Sequence, residues 1–72
     1  MIIISQDENA TYDLGKAFAV NANSEGEVHL VNYSGELAFL LGSYKSEERA
    51  KEIVAEIFAL FDLQSRYSMP II

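Results

Sequence analysis

The sequence predicts an α+β fold: an antiparallel β-meander of four to five strands packed against one C-terminal α-helix, with an extended tail. Three observations lead there. Residues 1–44 alternate apolar and polar side chains at the period of a half-buried strand, with turn residues between the runs. At Ser46 the period changes to that of a helix. Pro70 bars any later helix. Seventy-two residues make one domain, read here as a meander over 1–44, a helix over 46–62 and a tail over 63–72.

Ile2-Ile3-Ile4 is a β-branched run suited to a buried strand. Gln6 to Asn9 is a polar turn, with Asp7 and Asn9 as the residues that tolerate left-handed geometry. Thr11 to Leu14 returns as a short second strand. From Lys16 to Asn21 the chain alternates, with Phe18 and Val20 on one face. Asn23-Ser24-Glu25-Gly26 is a turn cluster. Glu27 to Tyr33 alternates again, Val28 and Leu30 on one face and His29, Val31 and Tyr33 on the other. Ser34-Gly35 is a two-residue hairpin signal, after which Leu37, Phe39 and Leu41 return in phase.

Ser46 is a good N-cap, and Glu47 and Glu48 follow where the helix dipole favours negative charge. Steps of 100° place Ala50, Ile53, Val54, Ile57, Phe58, Leu60 and Phe61 in one stripe roughly 160° wide. Glu48, Glu52 and Glu56 form an acidic ridge opposite. Glu47 and Lys51 have the favourable i,i+4 orientation, worth about 0.3 kcal/mol. Tertiary packing, not surface pairing, must hold such a helix.

Composition excludes several classes of function. Half the residues are hydrophobic and 22% are charged, which is a globular balance. Eleven acidic residues against five basic ones leave a net charge of −6, the wrong sign for binding a nucleic-acid backbone. The chain has no cysteine, hence no disulfide, thiolate nucleophile or Cys-based zinc site. No apolar run approaches the ~20 residues of a membrane span, and a cytoplasmic location is expected.

A core this small rarely supplies more than about 3–5 kcal/mol, and natural domains of this size commonly add disulfides, a metal or a partner subunit. With one histidine and no carboxylate cluster at ligand spacing, neither a metal nor another cofactor is expected. Self-association remains. The stripe is wider than the ~100° that covering one sheet face requires, and the second sheet face carries Val31, Tyr33, Ala38 and Leu40. An oligomer interface of Val31, Tyr33, Leu40, Ile53 and Leu60 is therefore expected. The alternative is a tail whose Tyr67, Met69, Ile71 and Ile72 fold back over that face.

Catalytic chemistry finds little support. His29 lies mid-strand with no serine or carboxylate beside it at local spacing, and the glycines stand singly at turns rather than in a phosphate loop. The basic residues, however, gather late: residues 1–44 hold six acids and one base, and residues 45–72 five acids and four bases. Lys45 and Arg49 flank the helix N-terminus, where free backbone N–H groups favour an anion. Tyr44 offers a ring for stacking. With Arg66 and Tyr67 from the tail, these residues compose a candidate pocket for a phosphate-bearing ligand; the alternative is ordinary solvated charge beside Glu47 and Glu48.

Ile2-Ile3-Ile4-Ser5-Gln6, the run from Leu41-Gly42-Ser43-Tyr44-Lys45-Ser46-Glu47-Glu48-Arg49 to Ile53, and Tyr67-Ser68-Met69-Pro70 resemble short, largely uncharacterised proteins of Gram-positive bacteria and their phages. The resemblance covers both ends of the chain but not the middle. It implies an accessory protein of a phage or mobile element, working in the host cytoplasm if phage-encoded. Small acidic proteins of that setting often inhibit host factors, defence systems included, by binding them. The expected function is thus a non-enzymatic binding protein directed at a host protein. The alternatives are a sponge for a nucleotide signalling ligand and a purely structural self-associating domain.

Overall fold

In the computed structural model, which describes residues 1–32 and 38–72, the chain is α+β, with six strands in two sheets and one helix near the C-terminal end. Tyr33, the hairpin expected at Ser34-Gly35, and Leu37 lie outside the described residues, as does the facing of the Phe18 side chain.

The strands divide in a way that local periodicity does not reveal. β1 (Ile2–Ile4) is the centre of one sheet, flanked by antiparallel β2 (Thr11–Asp13) and by parallel β6 (Arg66–Ser68). The other sheet is an antiparallel meander of β3 (Ala17–Ala22), β4 (Glu27–Asn32) and β5 (Ala38–Ser43). A 3-10 turn at Leu14–Lys16 joins the two. Part of the expected tail is thus a strand. Ile2 pairs with Arg66 and Ile4 with Ser68, so the segment closes the first sheet instead of spreading over the second.

The turn between β1 and β2 is tied by Asp7. Its Oδ1 accepts from Ser5 Oγ at 2.6 Å and from the Asn9 N–H at 3.0 Å, and these bonds, Ser5's first, hold its carboxyl below the ordinary range. The left-handed residue is Glu8 (φ 63°), not Asp7 or Asn9: Glu8 N donates back to Ser5 O while Asp7 grips Asn9, so the strained position falls between them.

In the meander, Val20, Leu30 and Phe39 align across the inner face, and Asn21, His29 and Leu40 across the outer one. The register shifts between Val28/Gly42 and His29/Leu40. Leu41 is the extra residue of this bulge, and it points into the core beside Val28 and Leu30. Tyr12 and Phe39, with ring centroids 5.6 Å apart, link the two sheets.

α1 runs over Glu47–Leu60 and lies against β3 and β4. Ser46 is extended and its Oγ accepts from the Arg49 N–H at 3.1 Å, the expected N-cap. The expected Glu47–Lys51 pair forms at 3.8 Å. The helix ends two residues before the expected Asp62, because Leu63 and Gln64 both bond back to the Leu60 carbonyl and tighten the chain into a turn. Its buried positions are Ala50, Ile53 and Ile57. Ile53, expected at an exposed helix edge, is 1% exposed, and Leu60 packs partly buried against the same core. The reason is β6: it brings Tyr67 and Met69 into the core on the Glu56 side of the helix, where Tyr67 Oη donates to Glu56 Oε1 at 2.7 Å. The surplus apolar surface therefore lies on the opposite flank, at Val54, Phe58 and Phe61.

Candidate functional site

The expected corner at the start of α1 exists as an open cleft of about 710 Å³, lined by Ser43 to Ser46, Glu48, Arg49, Glu52, Ile71 and Ile72. Its geometry begins with Gly42. A Cβ there would stand 2.6 Å from Tyr44 Oη, so the missing side chain is what lets the Tyr44 ring lie back along β5. Tyr44 is buried in the core, and its hydroxyl donates to the Pro70 carbonyl at 2.8 Å. Burial pushes its phenol pKa up, with Arg49 opposing.

Arg49 sits 6.0 Å from the centroid of the Tyr44 ring, at the outer limit of a cation–π contact. Its guanidinium is committed to its own chain: Nη2 donates to the Ile72 backbone oxygen at 2.9 Å and Nη1 meets Glu52 at 3.3 Å. Gln6 completes the latch, with Nε2 donating to the Ile71 carbonyl at 2.7 Å and to the Ser43 carbonyl at 3.1 Å. Three successive backbone oxygens of the tail are thus held by three side chains, from the residue after β5, from α1 and from the β1 turn.

The structure therefore brings together Tyr44, Lys45 and Arg49 but not Arg66 or Tyr67. Arg66 is exposed on β6, and Tyr67 is buried with its hydroxyl on Glu56. Burial first, and the Glu56 hydrogen bond second, raise the Tyr67 phenol far above its ordinary value. Parallel pairing with β1 fixes this: it turns Tyr67 inward and sets Arg66 opposite Ile2. Ile71 and Ile72 take the places expected for Arg66 and Tyr67. Two carboxylates, Glu48 and Glu52, offset the two cations, so the cleft offers no net positive field to a phosphate.

No protein-family model, no curated protein and no solved structure matches this chain.

The other expected positions fall elsewhere. On the outer face of the meander Val31 is half-buried and Leu40 is 48% exposed. His29 lies there between Asn21 and Leu40. Among the described residues, no three His, Asp or Glu side chains are grouped to hold a metal ion, and no helix is long and apolar enough to cross a membrane. Sequence reasoning missed Gln6, Ile71 and Ile72. Gln6 acts on backbone atoms 37 and 65 positions away, which no local pattern announces.

Proposed function

We propose that the chain is a non-enzymatic binding protein that captures a partner protein at the end of the fold formed by the tail, Tyr44 and the start of α1. The way residues 70–72 are held carries this reading. Ordering each residue costs about 1–2 kcal/mol of backbone entropy, while each hydrogen bond returns about 0.5–1.5 kcal/mol net. Side-chain burial adds little, since Ile71 is 66% and Ile72 90% exposed. A segment whose last two residues are fixed with little apolar burial, showing two aliphatic side chains beside Lys45, Glu48, Arg49 and Glu52, has the anatomy of an apolar anchor with a polar rim.

The three stretches that carry the resemblance to short proteins of Gram-positive bacteria and their phages meet here, through the Gln6–Ser43 and Tyr44–Pro70 hydrogen bonds. That setting points to a host factor as the partner, and the net charge of −6 steers toward a basic surface. The test compares wild type with an Ile71→Asp/Ile72→Asp variant in pull-downs from a Gram-positive host lysate, read by mass spectrometry. The expected result is a protein recovered by wild type, lost with the variant and weakened by salt. Recovery indifferent to the pair overturns the reading. A nucleotide sponge would instead need Arg49 released from Ile72 and Glu52, and would give calorimetric heat with phosphate-bearing nucleotides.

A further inference from the structure

The chain treats the two ends of the β3–β4–β5 sheet differently. β5 is closed from outside by Gln6, whose backbone N–H donates to the Leu41 carbonyl at 2.8 Å and whose side chain accepts from the Ser43 N–H at 2.8 Å. Among the described residues β3, at the other end, is paired with β4 alone. Ala17–Ala22 contains no charge and no proline, the residues that usually deter pairing at a sheet edge. The register shift between Ala17 and Ala19 offsets the first residues, while Ala19 to Ala22 keep regular register. Alongside runs a groove of about 290 Å³, lined by Leu14, Val20, Val54, Ile57, Phe58 and Phe61. None of the six is charged, and Phe58 is 84% exposed.

We infer that this seam pairs with the same seam of a second copy: β3 aligns antiparallel with its two-fold mate, and Phe58 of each copy enters the groove of the other. Charge selects a second copy as the occupant. Chains of net charge −6 repel one another except across a neutral strip, and this strip is neutral. Symmetry agrees, because antiparallel pairing of one strand with its own copy is isologous and each contact occurs twice. Size agrees as well. The groove falls just below the roughly 300–1,000 Å³ of small-molecule pockets and suits a ring of the kind standing at its rim.

A covered aromatic side chain removes ~150–250 Å² from water. Two Phe58 and two partly covered Phe61 rings therefore contribute roughly 600 Å², and the strand edges carry the total toward the ~1,000 Å² of a specific interface. That is the low end, where association is weak and transient, so the dimer is to be sought across a wide concentration range. The outer sheet face is the weaker candidate, because there Val31 and Leu40 are interspersed with Asn21 and His29.

Sedimentation equilibrium from about 5 to about 500 µM tests this, because mass action moves a weak dimer across that range. The mass is expected to rise from 8.0 kDa toward twice that value. Phe58→Glu should hold it at the lower value with an unchanged circular dichroism spectrum, and Leu40→Glu should dimerise like wild type. A monomer throughout overturns the inference, as does a dimer that survives Phe58→Glu or is lost with Leu40→Glu. Should Phe58→Glu fail to fold, intermolecular NOEs in a mixed labelled and unlabelled wild-type sample decide: contacts from Phe58 to Leu14 and Val20 support the seam, and their absence at dimer mass overturns it.

Discussion

Gly26 is where a single methyl group should do most damage. It ends the turn before β4 with φ at 83°, inside the region that side chains disfavour by about 1–2 kcal/mol. Asn23 builds that turn, its Oδ1 accepting from the N–H groups of Glu25 and Glu27 at 3.0 Å each. The Gly26 carbonyl accepts from the Tyr44 N–H at 2.8 Å, pinning the corner that leads into α1. A Cβ at position 26 would fall inside the van der Waals envelope of the Tyr44 carbonyl oxygen and stand 3.1 Å from that of Ser46. Both are backbone atoms, so the corner must move. Moving it weakens the Tyr44–Gly26 bond, worth about 0.5–1.5 kcal/mol, and disturbs the Ser46 cap, worth about 1 kcal/mol. Gly26→Ala should therefore cost about 3–4 kcal/mol, most of the ~3–5 kcal/mol that a core this small supplies. At about 4–8 °C per kcal/mol, Tm should fall by at least ~12 °C, read by thermal and urea melts. Gly26→Asn tolerates the dihedral but keeps the clash, and should recover only part of the loss. A Tm drop under about 4 °C for the alanine variant would refute the steric argument.

Other consequences can be checked in the same melts. Ser46→Ala removes the acceptor for the Arg49 N–H and should cost about 1 kcal/mol, a Tm drop of ~4–8 °C. Ile53→Ala should cost about 2–5 kcal/mol, whereas Phe58→Ala at low protein concentration should stay within about 0.5 kcal/mol; equal losses would mean the helix is docked by its other flank. Tyr67 and Tyr44 both have raised phenol pKa values, so the folded state keeps protons that the unfolded chain releases above pH 10.0. Their contribution is fully present below that pH and is lost as pH rises above it. The urea midpoint should decline on the alkaline side, less steeply in Tyr67→Phe; identical alkaline slopes in the two proteins would remove Tyr67 from the account.

Much of the local structure was legible because it depends on neighbours in the chain. The cap at Ser46, the Glu47–Lys51 pair and the inward set Val28, Leu30, Phe39 and Leu41 all follow from spacing over a few residues. Within the candidate site, Tyr44, Lys45 and Arg49 were legible for the same reason, since positions this close in the chain at a strand-to-helix junction must lie near one another. Arg66 and Tyr67 were misplaced because their position depends on which strand the tail joins. Ile71 and Ile72 were invisible as site residues because Gln6, Tyr44 and Arg49 hold backbone oxygens, which every residue possesses.

By itself, then, the sequence determined the fold class, the helix start and the apolar face of the strands, since each is encoded in periodicity and capping chemistry. The tertiary structure alone decided the division into two sheets, the parallel β1–β6 pair and the flank of α1 that is covered. Periodicity specifies that a stripe is apolar and how wide it is, but not what packs against it. β6 chose the Ile53–Leu60 side, and that one non-local pairing moved the exposed apolar surface to Val54, Phe58 and Phe61.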